Sequence, residues 1–409
     1  MTQATDVDFA PARSNDGRVI AVIGAVHFVS HYYILLLPPL FVFVKAEYGV
    51  SYTELGFALA AFNVISAVLQ TPAGFLVDRI SARVVLMAGL LLGAAAFAVA
   101  GLVDSFWVLV VMFAIAGLGN TVYHPADYAL LSHHVSPERI GQAFSIHTFS
   151  GMLGSAVAPA SLLLMQSIWG WRGAFLGAAV LGFAAAALLA SQRQALAERR
   201  APVHRAGAAT PANAQAEGWR LLLSAPIVRN LIFFVLLAIM SGGLQNYSVV
   251  ALNASYGTPI VVGNTALTAF LLLNALGVLA GGLIVARTSR HAVVATCGLI
   301  ATGIAAVLIG AVDLGSALLI VVMSLGGFLN GLMMPSRDMI VREVTPPGSF
   351  GKVFGFVTTG FNIGGIVSPL LFGALMDHGD PRAIFLTVAV CCLISIPTVM
   401  NRSRRAADV

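Results

Sequence analysis

Between Gly117 and Pro159 the chain runs GLGNTVYHPADYALLSHHVSPERIGQAFSIHTFSGMLGSAVAP, and between Gly327 and Pro369 it runs GFLNGLMMPSRDMIVREVTPPGSFGKVFGFVTTGFNIGGIVSP. An offset of 210 residues lays one stretch over the other without a gap. The identities are Gly117/Gly327, Asn120/Asn330, Pro125/Pro335, Pro137/Pro347, Gly141/Gly351, Phe144/Phe354, Thr148/Thr358, Gly154/Gly364, Val157/Val367 and Pro159/Pro369. Six of the ten are Gly or Pro, so the copies share backbone geometry more than side-chain chemistry. One unit has been built twice.

Composition says in what medium. Of 409 residues 58% are apolar and only 10% are charged, whereas a soluble chain carries about 25% charge. The 22 basic and 17 acidic residues cannot coat a soluble surface of this length, and the 41 glycines suit membrane helices better than soluble ones. A membrane-spanning helix needs about 20 mostly apolar residues. Twelve runs approach or exceed that length: Val19–Val44, Leu55–Leu76, Val84–Val103, Trp107–Leu131, Ala143–Met165, Gly173–Ala190, Leu231–Leu252, Thr265–Val285, Ala292–Val312, Ala317–Ile340, Val353–Leu375 and Ala383–Val399. They lack the alternation of a barrel strand, so the expected fold is all-α, twelve transmembrane helices in two pseudo-symmetric six-helix bundles. Two such halves around a midplane site follow the logic of transporter repeats, and no channel-type filter ring or Arg ladder is present.

The basic residues set the orientation. With the N-terminus inside, the inner segments carry Arg13, Arg18, Arg79, Arg83, Arg139, the arginines of the linker, Arg287, Arg290, Arg342, Lys352 and those of the C-terminal tail; the outer face keeps Lys45, Arg172 and Arg382. Both termini are therefore expected in the cytoplasm, with the chain in the cytoplasmic membrane. The polar segment QRQALAERRAPVHRAGAATPANAQ has the composition of a solvated linker. The expected organisation is a tail 1–18, a bundle 19–190, a linker 191–226, a second bundle 227–400 and a tail 401–409. The scattered arginines have the layout of topology-setting charge, and no nucleic-acid partner is expected. Cys297, Cys391 and Cys392 sit in apolar runs with no metal-type spacing. No nucleotide loop, nucleophile elbow or metal cluster is present, so neither an enzyme nor a cofactor is expected.

Between the second and third runs stands GFLVDRISAR, Gly74 to Arg83. This resembles the cytoplasmic loop motif G-x-L-x-D-R-x-G-R-R of the major facilitator superfamily, with Gly74, Leu76, Asp78, Arg79 and Arg83 matching. The second-half counterpart GLIVARTSR keeps Arg287 but has Ala286 where the acid would stand. Within the superfamily, NTVYHPAD, GMLGSAVAP and HFVSHYYILLLPPL resemble the fosmidomycin-resistance branch of drug–proton antiporters, with Ser30 and His31 in place of that branch's Asn and Asp. The resemblance implies a secondary active transporter acting as a monomer, with a small-molecule substrate and protons as partners in the lipid bilayer. It also implies that Asp78 docks on the eleventh helix near Lys352, and that Arg83 pairs with Asp127 or Glu138 to close the cytoplasmic side.

Charges within apolar runs are costly, about 2.5–3.5 kcal/mol each on insertion scales, and so face protein or water. Asp127, Arg337 and Asp338 are such charges, and Arg337 holds the repeat position of Asp127. With Asp78, Arg79, Arg83 and Glu138, Asp127 and Arg337 are candidates for a gate; a proton-carrying or anion-binding role is the rival. His27 and His31 share a helix face, and His124 and His147 fall in the fourth and fifth helices. Histidine titrates near neutral pH, so His31, His124, Asp127 and Asp338 are proton-coupling candidates. The same imidazoles could bind substrate or only satisfy neighbours, and no Cys or acid accompanies the His27/His31 pair at metal-ligand spacing. Candidate cavity residues are His27, His31, Tyr32, Asn120, Tyr123, Gln245, Asn246, Tyr247, Asn330, Arg337 and Asn362, each of which could instead serve helix packing. The expected function is proton-coupled export of a small organic molecule; the alternative is proton-coupled uptake of a small metabolite or organic anion.

Overall fold

The computed structural model describes residues 15–196, 220–346 and 350–400, apart from the side chains at 71, 78 and 350–352. The Asp78 and Lys352 side chains, the tails and most of the linker thus lie outside the described residues. Every described element is helical.

Eleven helical stretches are long and apolar enough to cross a membrane. One of them, Ile140–Ser191, has 52 residues, about 78 Å at 1.5 Å per residue, far beyond the roughly 30 Å of a hydrocarbon core. It turns at Gly170, where φ is 70° and ψ 172°, a region open to glycine alone. Two spans meet there, so the chain crosses twelve times. In order, the spans are Asp16–Tyr48, Tyr52–Arg79, Ala82–Leu102, Phe106–His134, the two arms of Ile140–Ser191, Ala225–Tyr256, Ile260–Val285, His291–Ala311, Gly315–Glu343, Phe350–Asp377 and Ala383–Met400. The face where the second span ends and the seventh begins is called the linker face below, and the opposite one the far face.

Three spans are interrupted, each with a local cause. In the first, the helix stops at Ile34 and resumes through a 3₁₀ turn at Pro38–Leu40, since two successive prolines supply no N–H to the helix ladder. In the fourth, the helix breaks between Asn120 and Tyr123: the Pro125 ring cannot tolerate the Thr121 carbonyl in an unbroken turn. The second segment so begun carries Asp127. In the seventh, Gly243–Tyr247 forms a π-turn, a distortion common at functional sites.

Packing repeats with the sequence. The first span packs on the fifth, the second on the fourth, and the third on the fourth and sixth; in the second half the seventh packs on the eleventh, the eighth on the tenth, and the ninth on the tenth and twelfth. Each pair becomes its counterpart when six is added to its span numbers. The repeat glycines make this possible. A Cβ on Gly117 would run into the Phe62 carbonyl of the second span, and one on Gly327 into the Phe270 carbonyl of the eighth. Gly154 meets the Phe28 carbonyl of the first span as Gly364 meets the Val235 carbonyl of the seventh. Small residues at such crossings let the backbones approach closely. The halves themselves meet where the second span lies on the eleventh and the eighth on the helix Ile140–Ser191.

Candidate functional site

The break in the fourth span turns Asp127 into the N-terminal bundle, where its carboxylate is fully buried. Two imidazoles reach one of its oxygens: His27 Nδ1 at 3.2 Å and His147 Nε2 at 3.0 Å from Oδ2. With a proton on Nε2, His147 donates to Oδ2, and the His27 and His147 rings stack face to face at 3.6 Å between centroids. Ser30 Oγ lies 3.5 Å from His27 Nδ1 and donates to the His27 carbonyl at 2.8 Å. His31, one turn on, is edge-on to His27 at 4.7 Å, with its Nδ1 3.4 Å from Ser155 Oγ. His124 lies 5.0 Å from His27 and stacks on Tyr128 at 6.0 Å. Gly151 makes the room: a Cβ there would sit 2.7 Å from His27 Cδ2 and 2.8 Å from His31 Cδ2. Asp127 Oδ1 and His147 Nδ1, both buried, have no hydrogen-bond partner among the described residues.

Three spans thus bring four imidazoles to one carboxylate, a convergence that spacing along the chain does not reveal. His27, His124 and His147 offer nitrogens within 4.8 Å of one another, and Asp127 supplies the acid that the His27/His31 spacing lacks. The stacked His27 and His147 rings share a carboxylate oxygen, however, an arrangement suited to passing protons between coupled groups. A metal ion asks its ligand nitrogens to converge on a single point at about 2.0–2.1 Å.

The opposite half carries the counterpart. Arg337 donates from Nε to Oδ1 of its neighbour Asp338 at 2.9 Å, and its Nη2 lies 2.8 Å from the same oxygen. Its Nη1 reaches only the Met334 thioether, at 3.1 Å. The guanidinium carbon lies 4.9 Å from the Phe234 ring centre and 5.3 Å from that of Phe361. Asp338 is half-exposed. In this conformation Asp127 pairs with His27 and His147, and Arg337 with Asp338, so the structure does not bring Asp127 to Arg337 or to Arg83. Arg79 and Glu138 are exposed and Arg83 is half-buried, all near the linker face.

The polar residues expected in a cavity divide in two. Tyr32, Tyr123, Tyr247 and Asn330 are buried in packing. Tyr32 meets Ser161 Oγ at 2.9 Å, and Tyr247 donates to the Pro369 carbonyl at 2.7 Å. Asn330 Oδ1 accepts from Asn274 at 2.8 Å, while Asn120 donates to Ser66 Oγ at 3.4 Å. Ser66 and Asn274 in turn donate to the carbonyls of Gly117 and Gly327, at 3.0 and 3.3 Å. The repeat asparagines are thus matched clasps on the 2–4 and 8–10 crossings. Gln245, Asn246 and Asn362 are partly exposed.

At the far face a latch that sequence reasoning missed joins the halves. Asp377, ending the eleventh span, accepts from Tyr52 N at 2.8 Å, Thr53 N at 2.7 Å and Thr53 Oγ1 at 2.6 Å. The next N–H, of Glu54, goes to Ser51 Oγ in a capping box. One half therefore caps the helix of the other, where the helix dipole favours an anion. Beneath the latch, Gly56 admits the Pro369 carbonyl, and Phe41 lies 5.3 Å from Tyr247. Beside it, Arg172 ties Glu47, Tyr48 and Asp104 together, and Trp171 donates to Glu47.

Known proteins bear the same architecture. The chain is 23% identical over 422 residues to the fosmidomycin resistance protein of Escherichia coli (strain K12), spanning 97% of this chain and 95% of that one. It is 29% identical to the "Probable L-galactonate transporter" of the same organism over 139 residues, a match covering 34% of this chain and only 31% of that protein. Its fold superposes on an inward-facing, unoccupied bacterial homologue of the human lysosomal transporter Spinster with a TM-score of 0.75, at 13% identity, across 95% of this chain and 98% of the other. The family model of the Major Facilitator Superfamily matches residues 23–263 and 231–407. With twelve spans, two equivalent halves and a match that runs through both, the chain is a multi-pass membrane protein that belongs to the Major Facilitator Superfamily of transporters.

Proposed function

We propose that the chain exports a small organic molecule across the cytoplasmic membrane, coupled to protons, by alternating access of its two halves. The observation that carries this reading is Asp127, buried between His27 and His147 and paired with no other charged side chain among the described residues. A carboxylate in a membrane-embedded bundle is stable only when neutralised by a neighbour or by a proton. An acid in contact with imidazoles can pass a proton to them, which is what a coupling site needs. His124 and Tyr128, both exposed, lie beside the imidazoles of the buried carboxylate.

The arginines of the linker face support a cytoplasmic position for that face and for both termini. The Asp377 latch then closes the outer side, and the conformation is the inward-facing one. Arg79, Arg83, Glu138 and the Asp78 loop are positioned to close the inner side in the alternate state. A single chain holds both halves, which supports a working monomer.

The test is fluorescence dequenching of an acidified interior in inverted membrane vesicles, with drugs, phosphonates and organic acids as candidate substrates. Proton release on adding a compound, lost in Asp127→Asn and reduced in His31→Ala, is the expected result. Proton release that survives in Asp127→Asn would remove the basis of the proposal. Uptake of an organic anion is the second reading, favoured by the donors that Arg337 leaves unused and by the relative named for L-galactonate. Compound accumulation in intact cells that requires the protein, with no proton release in inverted vesicles, would select it.

A further inference from the structure

The histidine cluster and the Arg337 cluster occupy the same place in the two halves. The 210-residue offset carries His124 onto Met334, Asp127 onto Arg337, Tyr128 onto Asp338, and Gly151 onto Phe361. The crossing of Gly154 on Phe28 and of Gly364 on Val235 relates the first span to the seventh, and carries His27 onto Phe234. His27, His124 and Tyr128 thus have counterparts in the Arg337 cluster, whereas His147 falls on Val357. In the first half an anion lies against two imidazoles that can neutralise it. In the second a cation lies against two phenyl rings that cannot.

Arg337 is under-partnered in a specific way. A guanidinium has five N–H donors in a planar fork. Two of them share a single oxygen of Asp338, and one rests on a thioether, a weak acceptor. Asp338 is the next residue in the helix, and neighbours at i and i+1 do not face each other, so the pair forms only by folding both side chains back. No other described residue gives Arg337 an oxygen. Phe234 and Phe361 lie against the guanidinium, as cation–π contacts do, and hold its plane in place.

We propose that Arg337 is the substrate's anchor and that the substrate is a small organic oxyanion, a carboxylate, sulfonate or phosphonate, whose two oxygens take the guanidinium fork in place of Asp338. Asp338 is then an internal competitor that keeps the cation neutralised while the site is empty. Planar bidentate recognition of this kind is what arginine does and lysine does not. This rests on the transport reading above, and makes the site specific in charge whichever way the cargo moves.

The test is thermal stabilisation of the purified full-length protein by gluconate, ethanesulfonate and ethylphosphonate, with neutral glucitol as the control. A ligand that binds only the folded state raises the melting temperature as its concentration passes its Kd. At least one anion is expected to stabilise the wild-type protein, and glucitol not to. Arg337→Ala should lose the effect at least tenfold in apparent Kd, and Arg337→Lys should recover it only in part. Asp338→Asn, with the competitor's charge removed, should bind the same anion about tenfold more tightly, a gain that a misfolded variant cannot give. Stabilisation by no anion, equal stabilisation of Arg337→Ala, or weaker binding to Asp338→Asn would each overturn the proposal. Failure of the transport reading looks different: anions still bind and depend on Arg337, but move no protons in vesicles.

Discussion

Replacing Asp377 by Ala removes three hydrogen bonds that exist only while the halves are closed at the far face, to Tyr52 N, Thr53 N and Thr53 Oγ1 at 2.6–2.8 Å. Hydrogen bonds to a charged group contribute about 1.5–3 kcal/mol each when buried, but this carboxylate sits at an exposed rim, where charge is screened. The helix N-terminus adds about 0.3–1 kcal/mol. Taken together the latch contributes about 2 kcal/mol to this conformation, and at 1.4 kcal/mol per factor of ten its loss shifts the closed-to-open ratio by roughly thirtyfold. The apolar seam of Gly56, Pro369, Phe41 and Tyr247 is untouched, so the closed state survives as a minority. Asp377→Asn keeps one acceptor oxygen and should give about half the shift in free energy. The readout is the distance between spin labels at Leu102→Cys and Val312→Cys, exposed positions at the far-face ends of the third and ninth spans, with the three native cysteines replaced by alanine. The wild-type distribution should be dominated by the short distance, and Asp377→Ala should populate a longer one, with high salt moving the wild type toward the variant. A ratio that changes less than threefold would refute the latch as a conformational lock.

Asp127→Asn conserves shape while removing the charge shared by His27 and His147; proton-linked flux in vesicles should fall at least tenfold, with the protein still monodisperse on gel filtration. Gly154→Val drives a side chain into the Phe28 carbonyl, and overpacking of this kind costs about 1–3 kcal/mol, so the melting temperature should fall by roughly 5 °C. Gly282→Ala, with nothing within 4 Å of the added Cβ, should leave it unchanged. Tyr247→Phe deletes one buried hydrogen bond to the Pro369 carbonyl, worth about 1 kcal/mol, and should lower the melting temperature by about 2–4 °C.

The spans were legible because bilayer thickness acts on single segments, and the repeat because its glycines and prolines mark backbone crossings. Gly170 shows the limit of the segment view: composition separated the fifth span from the sixth, while the helix continues to the turn itself. The His27/His31 pair was legible from helical periodicity. The importance of His147 was not, because its position beside Asp127 depends on the break at Pro125 and on the room left by Gly151, neither of which has a local signature as a site. Asp377 was hidden for a similar reason: its partners lie 324 and 325 residues away, in the other half. Tyr247 and Asn330 were polar at mid-span and so looked like cavity residues, yet polar groups at that depth also pair with a neighbouring helix, Tyr247 with the Pro369 carbonyl and Asn330 with the Asn274 side chain.

Comparing the halves position by position separates structure from chemistry within one chain. Where they agree, at Gly117/Gly327, Asn120/Asn330, Gly154/Gly364 and Pro159/Pro369, the residues make helix crossings, clasp them, or bend a span. Where they differ most sharply in charge, at Asp127/Arg337 and Tyr128/Asp338, they sit at the centre of the two clusters. A transporter built from a duplicated unit needs this division. Its halves must rock as equivalent bodies, so the crossings are kept alike. In the coupling proposed here the cargo and the proton are different chemical species, and the repeat-equivalent position carries an acid in one half and a guanidinium in the other. On that proposal the acid among imidazoles takes the proton and the guanidinium among phenyl rings takes the oxyanion.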